Sequence, residues 1–352
     1  MMQTVTDNKA HFTKKELLAA DQALHLYQAI GRPGYKLFYD TLQKGLIHNC
    51  NITVQDAKNA FHIYGPDEGV MMGKTTRSKP HCVDTTKLYQ LPLEFTNKYR
   101  HLTLAIDILF FDTMPFLLTI TRDIHFYTIE KLPDRENTTL LAALKHVISI
   151  HSTRGFIIQY ILADSKFRHM TGDIMDTFKC HLNCTSAGEH VPEAEHVVRV
   201  IKERVRCIVN TWPYKTVPVI MKVNMIKFVI FWINSIPQSG SVIPDVCSKA
   251  NMTGQFPYYH KHCSLAFGEY CHVHNPQNIT NIMAARTSPA IAMGPTSNLQ
   301  GGHNFFCLQT KRMIVCRQWT KLPVLDSVVE QIHNISLKER KRLKSKKVQG
   351  IY

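Results

Sequence analysis

Between residues 101 and 131 the chain runs HLTLAIDILFF, PFLLTITR and IHFYTIEKL. Each run is apolar and rich in β-branched and aromatic residues, and the joins between them are short. That pattern predicts three successive strands connected as hairpins in an antiparallel meander. Asn137-Thr138-Thr139 then opens a helix reaching about His151. Gly155 leads into FIIQYILAD, which predicts a buried strand ending at Asp164. A helix-like segment and a short strand around HLNCTS follow, and then the stretch GEHVPEAEHVVRVIKERVRC at 188–207. The order β-β-β-α-β-α-β-α is that of a mixed-sheet α/β unit.

The stretch at 188–207 predicts one helix with two stripes. At about 100° per residue, Val198, Ile201, Val205 and Ile208 form an apolar stripe that should face a core. Glu195, Arg199, Lys202 and Arg206 form a second stripe on its flank, one carboxylate heading a row of cations. Glu193 projects nearly opposite Glu195, and Glu203 lies further toward solvent. One interpretation is an exposed helix laced with ion pairs such as Glu195–Arg199. The other is a metal-binding glutamate beside a phosphate-binding row.

Ahead of this unit the pattern is helical. Thr13-Lys14-Lys15-Glu16 reads as a capping box opening a helix with Leu17, Leu18, Ala20, Leu24 and Leu26, broken at Gly31-Arg32-Pro33-Gly34. GYKLFYDTLQKG and VQDAKNAFHIYG predict two more helices, and GPDEGVMMGKTTRSKP at 65–80 reads as a linker. Beyond 237 the chain turns to short alternating runs split by Gly and Asn, as in GPTSNLQGGHNFFCLQTKRMIVCRQW. It closes on KERKRLKSKK at 338–347, a solvated helix end or tail, or else a nucleic-acid or nuclear-import patch.

With 352 residues, 44% of them hydrophobic, the chain is long enough for two or three units. Its net charge of +15 favours a polyanionic partner, either nucleic acid or an acidic membrane surface. The apolar run VPVIMKVNMIKFVIFWINSIP at 217–237 carries Lys222, Asn224, Lys227 and Asn234, so it predicts a buried helix and not a membrane span. The N-terminus is polar and shows no signal peptide, and the ten scattered cysteines read as reduced thiols of an intracellular protein.

Three carboxylates stand out. Asp107 lies inside an apolar run, where an unpaired charge is costly and calls for a partner. Asp164 ends a second apolar strand, and Glu195 leads the striped helix. Asp164 follows Asp107 by 57 residues, and Glu195 follows Asp164 by 31. Strands ending at one sheet edge, with a helix beside it, gather such a set. Grouped carboxylates repel unless a cation joins them, and hard oxygen ligands suit Mg²⁺ or Mn²⁺. Taken singly, Asp164 is equally a strand-end turn residue, and Asp107 equally a partner of an internal Arg or Lys. The run YHKHCSLAFGEYCHVH brings His260, His262, Cys263, Cys271, His272 and His274 close in sequence. Strand alternation splits these between two faces, so they read as surface and loop residues of a β-rich unit and not as a zinc site. Cys180-x3-Cys184 is a weaker signal still, and no P-loop, G-x-S-x-G or Rossmann fingerprint is present.

Several blocks in constant order resemble the integrase region of copia-type LTR retrotransposon polyproteins, in a divergent branch. They are GKTTRSKP (73–80), LAIDILFFDTMPFLLTITRDIHF (104–126), ILADSKF (161–167) and EHVPEAEHVVRVIKER (189–204), then FGEYCHVH, ITNIMAARTSPAIAMGPTSNLQGG and FFCLQTKRMIV. The similarity runs from about residue 12 to 325. It implies an α/β, ribonuclease-H-like mixed-sheet core, with a small helical unit before it and a β-rich region after it. The expected divisions are 1–80, 98–236, 237–335 and a basic tail at 336–352. It also implies metal-dependent DNA strand transfer or cleavage by a D,D,E triad, carried onto Asp107, Asp164 and Glu195, with Mg²⁺ or Mn²⁺. Arg199, Lys202 and Arg206 are then the expected DNA contacts. Element ends and target DNA are the implied partners, and self-association and action in the nucleus follow from the same resemblance.

The chain departs from the family pattern at several points. The residues after the second aspartate are Ser165-Lys166-Phe167 and the residue after the glutamate is His196. In the N-terminal unit Ile30-Gly31-Arg32-Pro33 and Cys50 supply too few ligands for structural zinc, so none is expected there. These departures carry an alternative: a degenerate or host-retained fragment that binds nucleic acid without cutting it. A membrane-associated basic protein, resting on 217–237 alone, is a third interpretation.

Overall fold

The computed structural model describes residues 2–75, 88–185, 192–237, 243, 245–274, 283–298 and 300–349, the side chains of 192, 193 and 342–349 lying outside that description. The chain forms two compact units. One comprises Met1–Val83, Thr211–Met221 and Cys263–Tyr352; the other comprises Asp84–Asn210 and Lys222–His262.

Five helices open the first unit: α1 (Val5–Lys9), α2 (Lys14–Ala29), α3 (Tyr35–Gln43), α4 (Val54–Tyr64) and α5 (Glu68–Lys74). Thr4 with Asp7, Thr13 with Glu16 and Thr53 with Asp56 each close a reciprocal capping box, which fixes where α1, α2 and α4 begin. Ala20, Ala23 and Tyr27 of α2 meet Ala57, Ala60 and Ile63 of α4 in one apolar cluster, whereas Leu18 faces solvent. The stretch expected as a linker thus contains a helix. Asp67 caps α5 by accepting the Val70 N–H at 3.0 Å and takes Arg32 Nε at 2.9 Å. Residues 76–80 of that stretch lie outside the described residues.

In the second unit α6 (Leu93–Lys98) precedes β1 (His101–Phe111), β2 (Met114–Thr121) and β3 (Phe126–Lys131). Then come α7 (Asn137–Ser152), β4 (Ile157–Ala163), a 3₁₀ turn over Ser165–Met170, α8 (Thr171–Phe178) and β5 (His181–Cys184). The long helices α9 (Pro192–Thr211) and α10 (Val219–Ser235) follow, and two short ones, α11 (Ser248–Thr253) and α12 (Tyr259–His262), close the unit. The five strands make one mixed sheet in the order β3-β2-β1-β4-β5. β1, β2 and β3 are antiparallel, as the short joins predict, while β4 pairs parallel with both β1 and β5. This is the ribonuclease-H-like arrangement. The parallel β1–β4 pair needs a crossover, which α7 supplies. Leu140, Leu144 and Val147 of α7 pack with Leu104, Ile106, Leu117, Ile158 and Ile161 of the sheet.

Back in the first unit, β6 (Tyr270–His274), β7 (Thr287–Pro295), β8 (His303–Cys307), β9 (Met313–Cys316) and β10 (Trp319–Lys321) form an antiparallel sheet ordered β10-β6-β7-β8-β9. The helix α13 (Asp326–Gln349) ends the described chain and takes the basic run at 338–347 into its backbone. Cys271 and His272, expected near the surface, are buried in β6. Cys271 belongs to the sheet's apolar cluster. His272 bonds Thr287 Oγ1 at 3.0 Å and the Tyr270 hydroxyl at 3.1 Å, and that hydroxyl donates to Glu68 of α5 at 2.6 Å. Both faces of β6 are covered, so alternation there does not separate core from solvent.

Within the second unit α10 docks through a polar clip. The buried Asn234 accepts the Tyr127 N–H at 2.9 Å and donates to the Tyr127 carbonyl at 2.7 Å. β3 is an edge strand, and this side chain satisfies two backbone groups that the sheet leaves unpaired. No helix among the described residues is long and apolar enough to cross a membrane. A second polar bridge joins α7 to β2. Buried His151 donates Nδ1–H to Val147 O at 2.9 Å and accepts the Thr121 hydroxyl at Nε2, 2.7 Å away.

Asn234→Ala removes both clip bonds and strands the Tyr127 amide and carbonyl, a cost of about 2–4 kcal/mol measurable by denaturant unfolding. His151 makes stability pH-dependent, because burial pushes its pKa below the ordinary 6.5. The unfolded chain therefore binds the proton first. The stabilisation is complete above 6.5 and falls away as pH drops toward the folded value. Unfolding free energies from pH 8 to pH 5 should show that decline in the parent protein and a flatter profile in His151→Gln.

Candidate active site

β1 lies at the middle of the mixed sheet, flanked by β2 and β4. Its pairing with β2 continues to Phe111↔Met114, but its pairing with β4 stops at Ile106↔Ala163. From β1 the chain passes to β2 and β3 on one side, and it later returns to fill the other side with β4 and β5. Such a reversal is a topological switch point, and open α/β sheets bind ligands in the crevice beyond the strand carboxyl ends there. The next residue on β1 is Asp107, and the residue after β4 is Asp164.

Their alignment depends on one irregularity. His101 pairs with Ile157 and Leu102 with Ile158, an offset of 56 residues, whereas Thr103 pairs with Tyr160, an offset of 57. Gln159 is the extra residue, so β4 carries a β-bulge. The new offset holds through Ile106↔Ala163 and equals the 57 residues between the two aspartates. Carried one position further, the register sets Asp107 opposite Asp164. Adjacent strands lie about 4.8 Å apart, which places both carboxylates within reach of a single cation.

Asp107 is half-buried. Its Oδ1 accepts the Ile108 N–H at 2.7 Å, and its Oδ2 takes no hydrogen bond among the described residues. Asp164 caps the 3₁₀ turn, with Oδ1 accepting the Ser165 N–H at 2.6 Å and the Ser165 hydroxyl at 3.2 Å. Its Oδ2 pairs with Lys166 Nζ at 3.0 Å. That ammonium, helped by the Ser165 amide, holds the Asp164 carboxyl below the usual carboxylate range. The two side chains are 62% and 30% exposed, so the pair contributes only about 0.2–1 kcal/mol. Burial pushes the nearby Cys180 and Cys184 thiols up, which leaves them as neutral packing groups.

Glu195 stands exposed near the start of α9, whose first residue is Pro192. Proline suits the first position of a helix, and the positive end of the helix dipole favours acids in that turn. The buried stripe of α9 consists of Ala194, Val197, Ile201 and Val205. Val197 takes the place expected of Val198, which is half-buried along with Ile208. Arg199, Lys202 and Arg206 are all exposed, as the flank position predicts. Arg199 bonds His196 Nδ1 at 3.3 Å and lies 4.0 Å from Glu203. The Glu193 side chain and residues 188–191 lie outside the described residues.

The strands therefore bring Asp107 and Asp164 together. Among the described residues no three His, Cys, Asp or Glu side chains form a cluster spaced for a metal ion, so Glu195 is not gathered with the aspartates into one. The donor set nonetheless fits a hard divalent ion. It offers carboxylate oxygens only, one of them unbonded on Asp107, and the site already draws an ammonium onto Asp164. Gln159 had a readable signal: Gln159 and Tyr160 are consecutive exposed residues that break the alternation of FIIQYILAD.

No protein-family model and no curated relative matches the sequence. Among solved structures, the chain is similar to the catalytic core domain of BIV integrase, at 10% identity over 43% of this chain and 92% of that one, with a TM-score of 0.33. It is also similar to the HTLV-2 integrase catalytic core domain, described in complex with magnesium in a dimeric form, at 11% identity over 40% of this chain and 91% of that one, with a TM-score of 0.31.

Proposed function

We propose that this chain is an integrase-like polynucleotidyl transferase of a copia-type retrotransposon, cutting or joining DNA at element ends and target. The observation that carries the proposal is the bulge-shifted register that sets Asp107 beside Asp164 at the switch point. In this interpretation the catalytic core spans 98–236, preceded by a helical unit and linker at 1–80 and followed by a β-rich region at 237–335 and a basic tail at 336–352.

Asp107, Asp164 and Glu195 would hold Mg²⁺ or Mn²⁺, which when bound activates an attacking hydroxyl and neutralises charge on the phosphodiester. The protein's own residues prepare that site. Asp164 stays ionised because Lys166 and the Ser165 amide hold its carboxyl down. Asp107 keeps Oδ2 for a ligand. Glu195 joins from the first turn of α9. Arg199, Lys202 and Arg206 extend from the same helix into solvent and grip the sugar–phosphate backbone, positioning DNA without reading its sequence. The net charge of +15 supports the same partner. The chain works as a homo-oligomer in the nucleus.

One observation favours a second interpretation, in which the chain binds nucleic acid without cutting it. Lys166 occupies an oxygen of Asp164, and the described residues contain no three-ligand cluster.

Labelled duplex incubated with Mg²⁺ or Mn²⁺ separates the two. The transferase should yield nicked or joined products, reduced about a hundredfold or more in Asp164→Asn, since even outer-shell changes cost 10–100-fold. DNA binding with no product from the parent protein would sink the transferase proposal and leave the second. The basic stripe has its own readout. Each phosphate contact contributes about 0.9 to the slope of log affinity against log salt, so replacing Arg199, Lys202 and Arg206 with Ala should flatten that slope by about 2.7. An unchanged slope would remove the stripe from the DNA interface.

A further inference from the structure

The geometry around Asp164 points to a gate. We propose that Lys166 is a tethered stand-in for the metal ion. It holds Asp164 before DNA arrives and transfers to a DNA phosphate on binding, so that metal loads preferentially onto the DNA-bound chain. This rests on Asp107 and Asp164 being metal ligands.

Four observations lead there. Asp107 and Asp164 face each other across adjacent strands, and two carboxylates so placed repel unless a cation joins them. The Lys166 ammonium supplies that charge, at 3.0 Å from Oδ2. Asp164 Oδ1 is meanwhile held by Ser165, so Oδ2 is the oxygen that both the ammonium and a metal would use. Among the described residues Asp164 is the one acid that Lys166 pairs with, and the lysine side chain is largely exposed. Its release leaves no second protein bond to break.

The chemistry makes the exchange directional. A divalent ion approaching Asp164 meets a positive charge already seated and must displace it. A phosphate offers that ammonium a charged acceptor of its own. Lysine suits the role, being a compact point charge on a flexible four-carbon stem and a frequent phosphate binder. On the same 3₁₀ turn Arg168 is exposed, while His169 is tied to Asn137 Oδ1 at 2.8 Å. DNA thus relieves the competition at Asp164, and by linkage metal strengthens DNA binding by the same factor.

The test is a Mn²⁺ titration read by electron paramagnetic resonance of the free ion, on the full chain, with and without a short duplex. Asp164→Asn with the same duplex gives the background from metal held by DNA. Lys166→Gln should bind Mn²⁺ about three- to tenfold tighter than the parent without DNA, the scale expected for removing one exposed competing charge. The duplex should tighten Mn²⁺ binding to the parent by a similar factor and add little to Lys166→Gln. Equal affinities of the two proteins without DNA would overturn the gate, as would no Mn²⁺ binding by either. A tighter Lys166→Gln with no effect of DNA on the parent would overturn the transfer to phosphate. Because the readout is metal binding, the gate can fail while strand cleavage stands. Cleavage can likewise be absent while the gate stands.

Discussion

The parallel pairing of β1 with β4 is the constraint on which the rest of the second unit depends. Two parallel strands cannot be joined by a tight turn, so the chain must cross the sheet, and α7 makes that crossing while burying one apolar face. The same pairing ends one residue before Asp107 on one strand and one residue before Asp164 on the other. A crevice with a carboxylate on each wall follows directly. The bulge at Gln159 makes the two walls match: without its extra residue the offset of 56 at the start of the pair would not agree with the 57 at its end.

Charge placement around that crevice follows from solvation. Half-buried carboxylates are stable only with donors or cations nearby, and each aspartate takes the nearest ones: the next backbone amide in both cases, and Lys166 for Asp164. α9 has a different balance. Its Ala194-Val197-Ile201-Val205 face is buried, while its cations remain in water, where they keep their charge and their reach. The crevice is thus acidic and compensated by a single ammonium, and the exposed flank of α9 is basic. A polyanion that reacts at a metal needs both kinds of surface.

Much of this was legible in the sequence. The three-strand meander, the α7 crossover, β4 ending at Asp164 and the long helix after 192 all follow from periodicity, because those segments are long and each buries one consistent face. The misses have physical causes. α5 reads as a linker because seven residues with Gly and Met carry no strong propensity; it is held by Asp67 and by the Tyr270–Glu68 bond, contacts made far along the chain. Val197 displaced Val198 because neighbouring valines leave the phase of a helix face undetermined by one position. His272 was placed near the surface because polar residues in a strand usually face water, whereas here a hydroxyl–imidazole–hydroxyl chain satisfies it inside. Asn234, noted only as an interruption of an apolar run, could not be assigned a partner 107 residues away. The separation of Asp107 and Asp164 was on the page from the start, but its agreement with the strand offset needs the bulge to be seen.

The clip at Tyr127 has a consequence for assembly. Sheets grow by adding a strand to whichever border still offers backbone hydrogen bonds. On the β3 border the outward amide and carbonyl of Tyr127 are already engaged by a side chain that mimics a peptide group. A neighbouring molecule seeking to extend the sheet there would first have to lift α10 away. Fibre-like growth along this border is therefore blocked by the carboxamide of one residue, and copies of the chain are left to meet through side-chain surfaces.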